Sequence, residues 1–144
     1  MEIEQTVAIN ALPAKVWAAL INVENWPSWT KSVETVKRLD ANAFGMGSEA
    51  QVKQPKLPAF VWKVVEFEPG AFFAWEVNAR GVRSYGGHRI SPTDGGCTVT
   101  LTIRQNGPMA WLAALLYGGM SRRYVDMEAQ GLKRYCEAGE PRLA

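Results

Sequence analysis

The chain has 144 residues, with 16 Lys and Arg against 14 Asp and Glu, for a net charge of +2. Hydrophobic residues are 47% and charged residues 21%, which excludes a disordered polymer. So small a net charge gives no electrostatic footprint for nucleic acid. A single domain over residues 1–144 is expected, large enough for a core or a core plus one cavity.

Residues 2–10 alternate, with Ile3, Val7 and Ile9 on one side and Glu2, Glu4, Thr6 and Asn10 on the other. This predicts a half-buried strand. Pro13 stands where a helix can begin without losing a hydrogen bond. Val16, Trp17, Leu20 and Ile21 follow at helical spacing, and the helix should end near Asn22. Next comes "NWPSW", residues 25–29. Trp26 precedes proline and is biased away from helix, so a turn or one short helical turn is expected.

From Ser32 to Ile103 the pattern predicts strands at 32–39, 47–54, 60–68, 71–79, 82–91 and 97–105. Turn residues separate them, among them Pro69-Gly70, Arg80-Gly81 and Asp94-Gly95-Gly96. The spacing reads as an antiparallel meander. Asn106-Gly107-Pro108 should end the sheet, and a long helix is predicted over 109–138, with a kink at Gly118-Gly119. Residues 111–117, "WLAALLY", are apolar nearly all round. That predicts burial on more than one side, or, less in keeping with a plain core, a dimer or transient membrane contact. Further along, Ser121, Tyr124, Val125, Glu128, Gly131, Leu132 and Tyr135 form one face and the charged residues the other.

The predicted order is strand, short helices, six strands, long helix. This is a two-layer α+β architecture in which the helix covers the apolar face of a seven-stranded curved antiparallel sheet. One helix cannot fill a strongly curved sheet, so a gap suited to an apolar ligand is expected between them.

Cys97 and Cys136 have no metal-ligand spacing and read as buried thiols of a reducing compartment. The acidic, alternating N-terminus is unlike a signal or transit peptide. No apolar run is long enough to span a bilayer. A cytoplasmic protein with no stable membrane insertion, no nucleic-acid partner, no metal and no cofactor is expected, as monomer or homodimer.

Five blocks taken in order resemble a known family: "VAINALPAKVWAALINVENWPSWTKSVETV", "GMGSEAQVKQP", "FVWKVVEFEPGAFFAWEV", "GGHRISPTDGGCTVTLTI" and "EAQGLKRYCEAGE". They are similar to the polyketide cyclase/dehydrase-like branch of the START-like superfamily, the helix-grip fold shared with birch-pollen-allergen-like proteins. The resemblance covers nearly the whole chain. It implies a sheet wrapped around the C-terminal helix and a small hydrophobic or aromatic ligand between them. The implied roles include hydrophobic-ligand or lipid carriers and aromatic polyketide cyclases.

Parity and helical phase nominate Phe73, Trp75, Leu101, Tyr124 and Leu132 as the cavity wall. Trp62 stays ambiguous, because its strand is apolar on both faces. Trp26 and Trp29 are expected to plug one end of the sheet, as packing or as ligand contacts. His88, the only histidine, shares parity with Ser84 and Ile90. It is either a proton shuttle or a hydrogen-bonded core histidine. Glu128 lies on the apolar face of the last helix, where a carboxylate needs a partner. It is either a base or a structural acid bonded to the sheet. His88 and Glu128 are the candidate catalytic pair should the protein be a cyclase or dehydratase. No nucleophile elbow, paired-carboxylate motif or dinucleotide fingerprint appears.

Overall fold

The computed structural model describes residues 1–138. Its elements run β1 (Glu2–Ile9), α1 (Pro13–Ile21), a 3-10 helix (Val23–Ser28), β2 (Thr35–Arg38), β3 (Glu49–Lys53), β4 (Phe60–Glu68), β5 (Phe72–Ala79), β6 (Val82–Thr93), β7 (Gly96–Asn106) and α2 (Ala110–Glu137). The seven strands form one sheet in the order β1-β7-β6-β5-β4-β3-β2, and every neighbouring pair is antiparallel. Only β1 pairs out of sequence, with Ile3 opposite Ile103 and Val7 opposite Val99. This is the helix-grip fold, with α2 lying against the sheet and the short helices following β1.

Local chemistry sets the element ends. Pro13 occupies the first turn of α1, whose N-cap Leu12 is extended, so its missing N–H costs nothing. The "NWPSW" stretch lies in the 3-10 helix up to Ser28, and Trp29 closes it by donating its backbone N–H to Trp26 O at 3.0 Å. The β5–β6 hairpin turns through Arg80 (φ 54°) and Gly81 (φ 79°), the two positive φ values that a two-residue turn of matching twist requires. Met109 N–H donates to Gly81 O at 3.1 Å, which ties that turn to the start of α2.

The core joins the inner face of the sheet, α1, the 3-10 helix and the second half of α2. Val16, Leu20, Val23, Phe73, Val99, Leu132 and Cys136 are fully buried within it. Gly131 lets α2 pass against the Trp29 backbone, for a Cβ there would sit 2.1 Å from Trp29 O. Helix α2 runs unbroken through Gly118 and Gly119. Cys97 is buried, and burial pushes its thiol pKa up.

The first turns of α2 correct one expectation. Trp111, Leu115 and Leu116 are 67%, 74% and 61% exposed, rather than buried on two sides. This half of the helix overhangs an open space instead of resting on packed side chains. Among the described residues, no helix is long and apolar enough to cross a membrane.

Candidate functional site

That open space is a cavity of about 380 Å³ between sheet and helix, toward the low end of the roughly 300–1,000 Å³ usual for small-molecule sites. Its helical wall is α2, from Leu112 and Leu116 through Tyr124 and Val125 to Glu128. Its sheet wall is made by Trp62, Val77, Val82, Ser84, Ile103 and Gln105. The β3–β4 loop closes a side with Leu57 and Pro58, and Arg80 and Met109 stand at the turn end. The Tyr124 hydroxyl donates to the Pro55 carbonyl, fastening that loop to the helix. Trp62, whose direction the sequence leaves open, belongs to the wall.

Of the wall residues nominated from parity, Tyr124 lines this cavity; Phe73, Trp75, Leu101 and Leu132 do not. Those four lie in the core. Each strand faces the way its alternation predicts, but the cavity sits further along it. On β5 the wall is Val77 instead of Trp75; on β7 it is Ile103 instead of Leu101; on β6 it is Ser84 instead of His88. All three displacements run toward the β5–β6 turn.

Aromatic packing supplies the reason. The opposite end of the sheet is filled by rings. Trp26 lies 5.6 Å from Trp29 and 5.4 Å from Trp75, centroid to centroid. Phe44 packs edge-on to Phe73 at 5.1 Å. The Trp26 indole N–H also donates to Leu20 O at 3.0 Å, locking that ring in place. Trp26 and Trp29 are both buried, and neither touches the cavity. No single residue's pattern reports that these rings converge, so sequence reasoning left Trp62 open and did not name Val77 or Ile103 as wall. The signal at hand was parity, which named the right face but not the depth along it.

His88 sits within this aromatic block, 4% exposed and stacked on Phe73 at 4.2 Å. Its Nδ1 lies 3.3 Å from the Phe73 carbonyl oxygen. A carbonyl only accepts, so Nδ1 carries the proton of that bond. Nε2 is then turned to Glu128, whose Oε1 is 3.3 Å away. Sheet and helix thus meet through this pair, on strand β6 and helix α2. Glu128 Oε1 is buried and accepts no hydrogen bond among the described residues, so the contact is one of proximity at ion-pair distance. Glu128 lines the cavity; His88 stands behind it.

The other polar residues of the wall are Gln54, Arg80, Ser84, Gln105, Tyr117, Ser121 and Tyr124. Gln105 Nε2 donates to Ser84 Oγ at 3.3 Å. Tyr85, of opposite parity to His88, faces away and donates to Glu66 at 3.1 Å. Its pKa is pushed up to about 12, by burial first and by the Glu66 charge second. Among the described residues no group of three His, Cys, Asp or Glu is placed to hold a metal ion.

Comparison with known proteins agrees with this architecture. The family model described as polyketide cyclase / dehydrase and lipid transport matches residues 1–137. TTHA0849 from Thermus thermophilus superposes with a TM-score of 0.79 at 16% identity, covering 98% of this chain and 100% of that one. Ara h 8.0201 superposes with a TM-score of 0.72 at 12% identity, covering 96% and 99%. The di-domain ARO/CYC StfQ from the steffimycin biosynthetic pathway gives a TM-score of 0.72 at 12% identity, covering 94% of this chain and 50% of that chain. No curated protein matches the sequence.

Proposed function

The chain belongs to the polyketide cyclase/dehydrase and lipid transport family, and on that premise we propose that it binds a small hydrophobic or aromatic molecule in the cavity between sheet and α2, as a carrier or sensor. The observation that carries this reading is the cavity itself. It is walled by Trp62, Val77, Ile103, Leu112 and Leu116, and apolar surface removed from water there supplies roughly 25 cal/mol per Å². Leu116, one of the exposed apolar side chains in the first turns of α2, belongs to the same wall.

A cyclase or dehydratase would need a base and an acid converging on the substrate. The His88–Glu128 contact is the one feature that favours it. His88, however, does not reach the cavity, which leaves one carboxylate facing the ligand. Tyr124 spends its proton on the Pro55 carbonyl. The wall therefore supports binding better than turnover.

Native mass spectrometry of freshly purified protein should show a retained small molecule. Nile red, an uncharged apolar dye, should bind with one-site saturation and be displaced by hydrophobic competitors. Absence of both signals in folded protein overturns the reading.

A further inference from the structure

We propose that Glu128 is the polar anchor of the cavity, selecting an apolar ligand that ends in a neutral hydroxyl, an alcohol or a phenol, over carboxylic acids and amines. The inference rests on the binding function proposed above and names the ligand class of that same site.

Three observations lead to it. First, Glu128 is the only carboxylate among the described residues of the cavity wall. Second, Tyr124, Ser84 and Gln105 are tied within the wall, the Tyr124 hydroxyl to the Pro55 carbonyl and Gln105 to Ser84, while Arg80, the one cation among the described wall residues, stands at the turn end beside Met109, far along α2 from Glu128. Third, Oε1 of Glu128 is turned inward to His88 and is buried. Oε2 is left as the oxygen that the cavity reaches. An ionised carboxylate is an acceptor only, so the complementary ligand group is a donor.

The surroundings decide which donor. An ammonium would have to shed its strongly held water among apolar side chains. A hydroxyl sheds far less. A ligand carboxylate at this end of the cavity would set like charge against Glu128, because Arg80 stands at the turn end. A hydroxyl on the carboxylate makes a charge-assisted hydrogen bond, stronger than a neutral one. His88 acts here as a positioning residue. Held by Phe73 O on one nitrogen, its ring stands 3.3 Å behind Glu128 Oε1 and limits by contact where the carboxylate can sit.

The test is competition against Nile red with four ligands of matched chain length: 1-decanol, its methyl ether, decanoate and decylammonium. In the unaltered protein 1-decanol should bind about tenfold tighter than the ether, which lacks the donor, and tighter than both ions. In Glu128→Leu the alcohol and the ether should become equal. Glu128→Gln keeps an acceptor and the side chain's shape but loses the charge, so it should retain preference for the alcohol while decanoate gains about tenfold relative to it. Circular dichroism and thermal melts establish that each variant is folded. Should Glu128→Leu fail to fold, the Glu128→Gln comparison decides alone. Nile red binding with alcohol and ether equal in the unaltered protein overturns the anchor and leaves the binding function standing. Tightest binding by decylammonium or decanoate also overturns it. No binding of dye or any competitor overturns the binding function itself.

Discussion

His88 Nε2 and Glu128 Oε1 lie 3.3 Å apart, yet only the glutamate faces the cavity. The pair joins β6 to α2 at the boundary between a filled aromatic block and the ligand space. A carboxylate so placed has two faces of surroundings. One is supplied by the protein and the other is open to whatever enters the cavity.

The pair's contribution to stability separates from its contribution to binding. Glu128→Ala removes a side chain packed 3.3 Å from His88 between helix and sheet and should cost about 1–3 kcal/mol. Glu128→Gln keeps a polar partner in reach and should cost less. Urea denaturation at neutral pH measures both. Equal stability of the two variants would mean that the contact holds nothing together.

Cavity and core make opposite responses to the same substitution. Ile103→Trp places a larger side chain into the cavity and should abolish Nile red binding with little loss of stability. Leu101→Trp, one pleat repeat away, enters a packed site where Leu101 is 3% exposed. Overpacking of that kind costs about 1–3 kcal/mol. If Leu101→Trp blocks the dye and Ile103→Trp does not, the ligand space is at the wrong depth.

Gly131 is the close approach between α2 and the end of the 3-10 helix. A Cβ would sit 2.1 Å from Trp29 O, and that neighbour is backbone, which cannot rotate away. Alanine would ordinarily strengthen a helix. Here Gly131→Ala should lower the melting temperature, by an amount corresponding to about 2 kcal/mol or more. A rise in melting temperature would show that α2 does not approach so closely.

Acid should weaken the same end of this helix through Glu137. The Asn10 backbone N–H donates to Glu137 at 2.8 Å, and Lys133 reaches the same oxygen at 2.7 Å. The first contact foremost, with the lysine's hydrogen bond and charge, holds the Glu137 carboxyl below its usual value of 4.5. A depressed carboxylate stabilises the fold above its unfolded pKa and loses that contribution as pH falls through the folded one. The loss therefore begins near pH 4.5 and continues below it. Glu137→Gln should flatten the stability profile in that window and leave the alkaline side unchanged, as followed by denaturation from acid to mildly alkaline pH.

Much of this architecture is written locally. The alternation of residues 2–10, the Pro13 helix start, the turns at Arg80-Gly81 and Asp94-Gly95, and the two-sided second half of α2 each act over a few residues. A chain read one segment at a time therefore yields the strand order, the antiparallel meander and the face that each strand turns inward. The inward parity of His88 and the buried-side phase of Glu128 were readable in the same way. Their 3.3 Å meeting was not, because it depends on how far α2 slides along the sheet, and Gly131 against Trp29 fixes that slide. The depth of the cavity was equally hidden. Trp26, Trp29, Trp75, Phe73 and Phe44 come from separate segments, and only when folded together do their rings fill one end of the sheet. Ligand space remains at the other end, beside Val77 and Ile103, because ring volume is a property of the assembled layers and not of any one strand.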